Sequence, residues 1–107
     1  MRVEQRVPGG DVNQYLAVAA LIAAGLHGIE NELELEPLTE GNAYASDAPR
    51  VPATLRDAAA LLSQSVIARE AFGNEVVDDY LNYARIELAA YDAAVTDWER
   101  IRGFERL

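Results

Sequence analysis

One helical segment limits what this chain can fold into. Residues 13–32, "NQYLAVAALIAAGLHGIENE", are rich in Ala and Leu, which favour helix. Between Leu16 and Leu26 the segment is apolar on nearly every side and not along one stripe. A helix of this kind is normally buried all round, and a chain of 107 residues has little material with which to cover it. The segment therefore predicts that the chain is a piece of something larger.

The residues before this helix alternate between charged and uncharged side chains. In a β-strand, alternate residues lie on the same face, so Arg2, Glu4 and Arg6 are expected to project together. Pro8 and the two following glycines would end the strand. Two interpretations stay open on the residues alone: a solvated strand face, which the usual exposure of these side chains favours, or half of a site for phosphate and metal.

The remainder of the chain predicts helices. We expect one strand and turn over residues 1–10 and a helical region over residues 11–107, which makes the fold mainly α. A lone strand needs a sheet to join, so residues 1–10 are expected to be the edge of a missing sheet. The predicted helices number about five, and their ranges are 13–32, 54–65, 65–73, 75–95 and 97–107. Asp11 or Asn13 is expected to cap the first helix, Ser65 to cap the third, and Gly73 to end the third.

Composition excludes several classes of function. The net charge of -9 argues against a nucleic-acid-binding surface, which needs a basic stripe. The apolar run Tyr15–Leu26 is too short to cross a bilayer, and no basic region with a cleavage-like site indicates a signal peptide. The absence of cysteine suits a reducing compartment. We therefore expect a cytoplasmic location, with no nucleic acid and no membrane as partner.

The remaining motifs are more typical of structural residues than of catalytic or metal-binding ones. His27 is the only histidine, and Glu30 one turn away is a weak second ligand, so we interpret His27 as structural. The glutamates at positions 30, 32, 34 and 36 lack the loop pattern of a cation site. The sequence has no glycine-rich phosphate loop, no Ser/His/Asp set and no nucleophile elbow.

The stretch "RVEQRVPGGDVNQYLAVAALIAAGLHGIE" resembles the glutamine synthetase family. The family pattern there is Arg-x-Glu-x-Arg, an apolar residue and Pro, a short turn, Asn-Pro-Tyr-Leu, and an Ala/Leu-rich helix that ends Ala-Gly-Leu-x-Gly-Ile. The resemblance continues through "EGNAYASDAPRVPATLRDAAALL", "EAFGNEVVDDYLNYARIELAAYDAAVTDWER" and "FERL". It implies the C-terminal part of the family's α+β catalytic domain. The turn "RVPGGD" is closer to the γ-glutamyl-polyamine and γ-glutamyl-ethanolamide synthetases of the family.

The resemblance also implies a reaction and its site residues. The family joins glutamate to ammonia or an amine through a γ-glutamyl phosphate, with ATP and Mg²⁺ or Mn²⁺ as cofactors. By motif, Glu4 is similar to a metal-ligating carboxylate, Arg6 to the residue that binds the α-carboxylate of glutamate, and Arg2 to a contact of the nucleotide or acyl phosphate. Gln14 departs from the family's Pro, which preorganises a helix start without being required for it.

These implications leave alternatives. The family's other ligands lie upstream of the matching part, so no catalytic set is complete here, and we expect the isolated chain to be inactive and to bind no cofactor. The chain is then a C-terminal segment from a truncated or split reading frame. The alternatives are a freestanding helical interaction or oligomerisation protein derived from that domain, and a decayed product. A homo-oligomer, or association with a full-length homologue, is the expected partnership.

Overall fold

The computed structural model describes residues 4–45 and 47–106, and within these ranges the side chains of Ala43 and Glu105 are not described. The predicted mainly helical fold is confirmed, and the helix bounds agree with the predicted ones to within a few residues. The described elements are α1 (Gln14–Glu30), a 3₁₀-helix (Ala43–Ala45), α2 (Leu55–Gln64), α3 (Val66–Phe72), α4 (Asn74–Ala93) and α5 (Asp97–Arg106).

The predicted N-terminal strand is wrong for the residues that the structure describes. Residues 4–9 have no regular secondary structure, and a turn follows at Gly10 and Asp11. A strand forms only when its backbone groups pair with a neighbouring strand, and the described residues contain no strand that could serve. Local contacts take the place of that pairing, since the Val7 amide donates to the side-chain oxygen of Gln5 at 3.0 Å.

Short polar side chains set the helix starts, as the sequence predicts. The side-chain oxygen of Asn13 accepts from the amides of Tyr15 and Leu16 and so caps α1. Thr54 and Ser65 cap α2 and α3 in the same way. Each of these contacts satisfies an amide that the first helical turn leaves without a partner.

Helix α4 is the centre of the packing. Helices α2 and α3 pack against α4, and α1 packs against α3. The buried core of the described residues consists of Val77, which is 3% exposed, and Ala84, which is 7% exposed, both on α4. No residue of α1 is buried. This helix is apolar on nearly every side, but other helices pack against it along one side only.

The molecule is extended. Its radius of gyration is 18.4 Å, whereas a compact domain of this length has a value of about 13 Å. Its accessible surface is 10028 Å², compared with about 5,900 Å² for a compact monomer of the same mass. Among the described helices, none is both long enough and apolar enough to span a membrane. A helical layer with so small a core exposes most of the apolar surface that its sequence provides.

Candidate functional site

The two predicted site residues that the structure describes lie side by side. The Nε atom of Arg6 donates to the Oε1 atom of Glu4 at 2.7 Å. The Arg6 side chain is 84% exposed and that of Glu4 is 51% exposed. The expectation that these two side chains share a side is therefore met without a strand. Arg2, the third predicted member, lies outside the described residues.

The irregular segment that contains this pair is anchored to a helix at one end. The pair belongs to the irregular segment before α1, and Pro8 separates it from the turn at Gly10 and Asp11. From Asn13 onwards the backbone is held by the cap of α1 and by the bond from the Ala17 amide to the Asn13 carbonyl. The helix thus fixes where the segment ends, and the Glu4–Arg6 contact and the bond from the Val7 amide to Gln5 are local constraints near its other end.

The residues present do not by themselves form a metal site. Mg²⁺ in enzymes is usually bound by one or two carboxylates together with substrate phosphates and water. Glu4 is the single carboxylate that the motif supplies, and one of its oxygens already accepts from Arg6. Residues 4–45 and 47–106 contain no group of three acidic, histidine or cysteine side chains placed to hold a metal ion. We therefore derive no step of a reaction through a metal bound to this chain alone.

The structure also reveals an apolar groove that the sequence did not indicate as a site. It has a volume of about 250 Å³, and no polar atom contributes to its wall. Four helices converge on it, and its lining residues are Leu16, Ala20, Leu62, Ala68, Phe72, Val76, Val77 and Tyr80. Val76 and Tyr80 lie four residues apart, a spacing that is typical of residues on one side of a helix. Which other helices would meet that side could not be read from periodicity.

Two ion pairs hold the helices that form this groove. Both carboxylate oxygens of Asp92, near the end of α4, accept from Nη2 of Arg56 on α2, at 2.9 and 2.8 Å. The hydrogen bond to Asp92 and the charge of that carboxylate raise the pKa of Arg56 above its ordinary value. Arg69 on α3 donates to the side chains of Asn74 and Asp78 at 3.0 and 2.8 Å. These pairs join α2 and α3 to opposite ends of α4.

His27, which the sequence analysis interprets as structural, lies near the end of α1. It is half-buried, and its carbonyl accepts from the side-chain amide of Asn31 at 2.8 Å at the end of α1. It lines a shallow depression between α1 and α3 together with Glu30 and Glu70. These three side chains do not form a metal-binding group among the described residues.

The described residues thus form a helical layer with a two-residue core and an uncovered apolar groove, and the Glu4–Arg6 pair lies in the irregular segment before α1. The family model for the catalytic domain of glutamine synthetase matches residues 1–102. The chain therefore belongs to the glutamine synthetase family, which confirms the resemblance found in the sequence.

Curated relatives agree with this assignment. The chain is 62% identical over 107 residues to gamma-glutamylethanolamide synthetase of Streptomyces coelicolor, a match that covers 100% of this chain and 23% of the relative. It is 39% identical over 104 residues to glutamate–isopropylamine ligase of a Pseudomonas species (94% and 23% covered). It is 37% identical over 105 residues to glutamine synthetase of Rhizobium leguminosarum (92% and 24% covered).

These relatives bear on the competing interpretations. The chain spans about a quarter of the length of each of the three relatives. All three are named as synthetases or ligases, so the matches favour a segment of a ligase of this family. They do not favour the freestanding helical interaction protein.

Proposed function

We propose that this chain is the C-terminal segment of the catalytic domain of a glutamine synthetase-like ligase. The whole enzyme would join the side-chain carboxylate of glutamate to ammonia or an amine through γ-glutamyl phosphate, using ATP and Mg²⁺ or Mn²⁺. The observation that carries the proposal is the family match over residues 1–102. The 62% identity to a gamma-glutamylethanolamide synthetase supports an amine as the acceptor. We also propose a cytoplasmic location for this enzyme.

In this proposal Arg6 binds the α-carboxylate of glutamate. A guanidinium presents its N–H groups in a planar fork that matches a carboxylate with two parallel hydrogen bonds. In the structure Arg6 uses its Nε for Glu4, and no other acceptor for it is found among the described residues. The two terminal nitrogens therefore face solvent and are the pair that would bind the substrate. Glu4 then acts as a positioning residue for Arg6.

Glu4 has a second proposed role as a metal ligand. By motif Glu4 is similar to a metal-ligating carboxylate of the family, and carboxylate oxygens are ligands that Mg²⁺ prefers in proteins. The other carboxylates needed to hold that cation would come from the part of the relatives that this chain does not match. For the same reason the isolated chain is expected to bind no Mg²⁺ and to be inactive. Arg2 is proposed to contact the nucleotide or acyl phosphate.

A chimera tests the proposal. The matching segment of the Streptomyces coelicolor relative is replaced by this chain, and ATP-dependent formation of the γ-glutamyl amide is measured with ammonia and with small primary amines. We expect turnover by the chimera and none by the isolated chain. A chimera that folds but forms no γ-glutamyl amide with any of these acceptors contradicts the proposed function.

The role of Arg6 is tested in the same chimera. Arg6→Lys keeps the charge and removes the planar fork, so kcat/KM for glutamate should fall about 10- to 100-fold, since a hydrogen bond to a charged group contributes about 1.5–3 kcal/mol. Arg85→Lys is the matched control, because Arg85 is exposed on α4 and donates to the nearby Asn82 side chain. Equal kcat/KM values for the two variants would show that Arg6 does not bind glutamate.

The proposed partners follow from the same assignment. We propose that the protein works as a homo-oligomer or in association with a full-length homologue. The support is the accessible surface of 10028 Å², which is far above the value of about 5,900 Å² for a compact monomer of this mass.

A further inference from the structure

The proposed function assigns no role to the apolar groove formed by α1, α2, α3 and α4. Ala20 lies on the α1 side of this groove, Val76 lies on the α4 side, and Val77 at its wall is the most buried residue described. The groove is therefore an opening into the only core that the described residues form.

The shape and chemistry of the groove indicate what fills it. Its volume is about 250 Å³, which exceeds the roughly 150 Å³ of an apolar protein cavity that stays dry and binds a benzene molecule. Because no polar atom contributes to the wall, a polar or charged group would lose its hydrogen bonds to water without replacement. The occupant is therefore one or more aliphatic or aromatic side chains.

The exposed surface indicates how large the covering segment is. The accessible surface of 10028 Å² exceeds that of a compact monomer by about 4,000 Å². Obligate interfaces bury about 2,000–5,000 Å² and standard complexes about 1,600 Å², and each partner contributes about half of these totals. The excess on this chain alone is therefore larger than one partner contributes to a standard complex. A single inserted side chain would leave most of that excess uncovered. The excess surface is that of the whole chain, and the groove is one part of it.

We propose that this groove receives apolar side chains from the catalytic segment that, in the relatives, precedes the part matched by this chain. The match covers 23% of the Streptomyces coelicolor relative, so that relative has enough further length to supply the surface. A second copy of this chain is a poorer occupant, because each copy carries a net charge of -9 and like charges repel. The proposal rests on the proposed function, because it takes the occupant from the same family of enzymes.

Thiol labelling tests the proposal, because the chain contains no cysteine. Ala20→Cys and Val76→Cys place one thiol on each side of the groove, and Ala90→Cys places a control thiol at an exposed position of α4 outside the groove lining. Each variant is made in the chimera and in the isolated chain, and circular dichroism checks that the helices are retained. Labelling by a small maleimide is followed at several protein concentrations.

We expect the groove thiols to label at least 10-fold more slowly than the control thiol in the chimera, at every concentration. In the isolated chain, diluted until sedimentation detects no assembly, all three thiols should label at rates within about threefold of one another. Groove thiols that label as fast as the control in the chimera would overturn the proposal. Protection in the chimera that disappears on dilution would assign the groove to a second copy, which also overturns it.

The amide-forming activity of the same chimera separates this proposal from the proposed function. A protected groove in a chimera without activity supports docking and contradicts the ligase assignment. An active chimera with unprotected groove thiols supports the ligase assignment and contradicts docking.

Discussion

Gly73 joins α3 to α4 with a backbone that other residues avoid. Its φ is 81° and its ψ is 160°, a combination that is essentially restricted to glycine. Its amide donates to the Arg69 carbonyl at 2.9 Å and its carbonyl accepts from the Val77 amide at 3.3 Å. This residue therefore ends one helix and begins the next, and sets the angle at which both meet the groove.

Substitution of Gly73 tests this role. Gly73→Ala meets no atom within 4 Å of the added carbon, so the cost is conformational and should be about 1–3 kcal/mol. Gly25→Ala, inside α1, also meets no atom within 4 Å, and should instead raise helix stability by about 1 kcal/mol. Urea unfolding followed by circular dichroism measures both changes. Shifts of the same sign would contradict this explanation.

At the scale of the element, the start of α2 depends on one threonine. The Thr54 hydroxyl oxygen accepts from the Asp57 amide at 3.1 Å, and the hydroxyl donates to the Asp57 carboxylate at 2.7 Å. The carboxylate also lies in the first helical turn, where a negative charge is favourable.

Loss of this cap should be measurable. Thr54→Ala should lower the free energy of unfolding by about 1 kcal/mol, read from the urea midpoint. Thr54→Ser keeps the hydroxyl and is expected to restore most of the loss. If the serine variant is as unstable as the alanine variant, the hydroxyl is not what stabilises the start of α2.

The bridge between Arg56 and Asp92 predicts a response to pH and salt. The pKa of Arg56 is raised, chiefly by its hydrogen bond to Asp92. A group with a raised folded-state pKa stabilises fully below its unfolded-state pKa and loses this contribution only as the pH rises through the folded-state value. Both values lie well above pH 10 for arginine. The contribution of Arg56 should therefore persist through neutral and moderately alkaline pH.

The measurement is the difference in urea midpoint between the unchanged chain and Asp92→Asn. That difference should be the same at pH 7 and pH 10, because other groups titrate equally in both proteins. It should shrink between low salt and 1 M salt, because Arg56 and Asp92 are exposed and exposed charges are screened. A difference that vanishes by pH 10 would contradict the assigned bridge.

At the scale of the whole molecule, exposed apolar surface determines whether the isolated chain self-associates. None of the residues of α1 is buried, and several of its large apolar side chains are more than half exposed, namely Tyr15, Val18, Ile22, Leu26 and Ile29. A contiguous apolar surface of this extent seldom remains in contact with water. Other copies are the only cover available to the isolated chain.

We therefore expect the isolated chain to self-associate in sedimentation experiments. Ile22→Glu on α1 should weaken the assembly at least 10-fold, whereas Ile101→Glu on α5 should change it less than threefold. The two side chains are matched in exposure, at 58% and 57%. A clean monomer across a wide concentration range would contradict the prediction, and equal effects of the two variants would remove α1 from the interface.

Individual residues show which structural features could be predicted from the sequence. Ser65 and Gly73 marked helix ends correctly, and Asn13 is the cap among the two candidates for the first helix, because a cap depends on residues within one turn of it. The strand before Pro8 was predicted wrongly for the described residues, because alternation supplies side chains on two faces but no neighbouring strand to bond. The bridge from Arg56 to Asp92 spans 36 positions, and no local pattern links residues so far apart.

The same distinction holds for the candidate site. Glu4 and Arg6 came from a motif of adjacent residues, and their contact at 2.7 Å is as local as the motif. The groove could not be read in advance, because its lining residues come from four helices. Their apolar character was visible in the sequence, but the sides on which they would meet were not.

The sequence by itself determined the helices, their caps, the family and the presence of more apolar surface than this chain can bury. Those properties follow from hydrogen bonds within a turn, from residue type and from composition. Only the tertiary structure decided that α4 is the centre of the packing, that α1 contacts the layer through α3, and that a groove remains open beside Val77. These features depend on side chains from distant positions fitting against one another, and periodicity along the chain does not specify that fit.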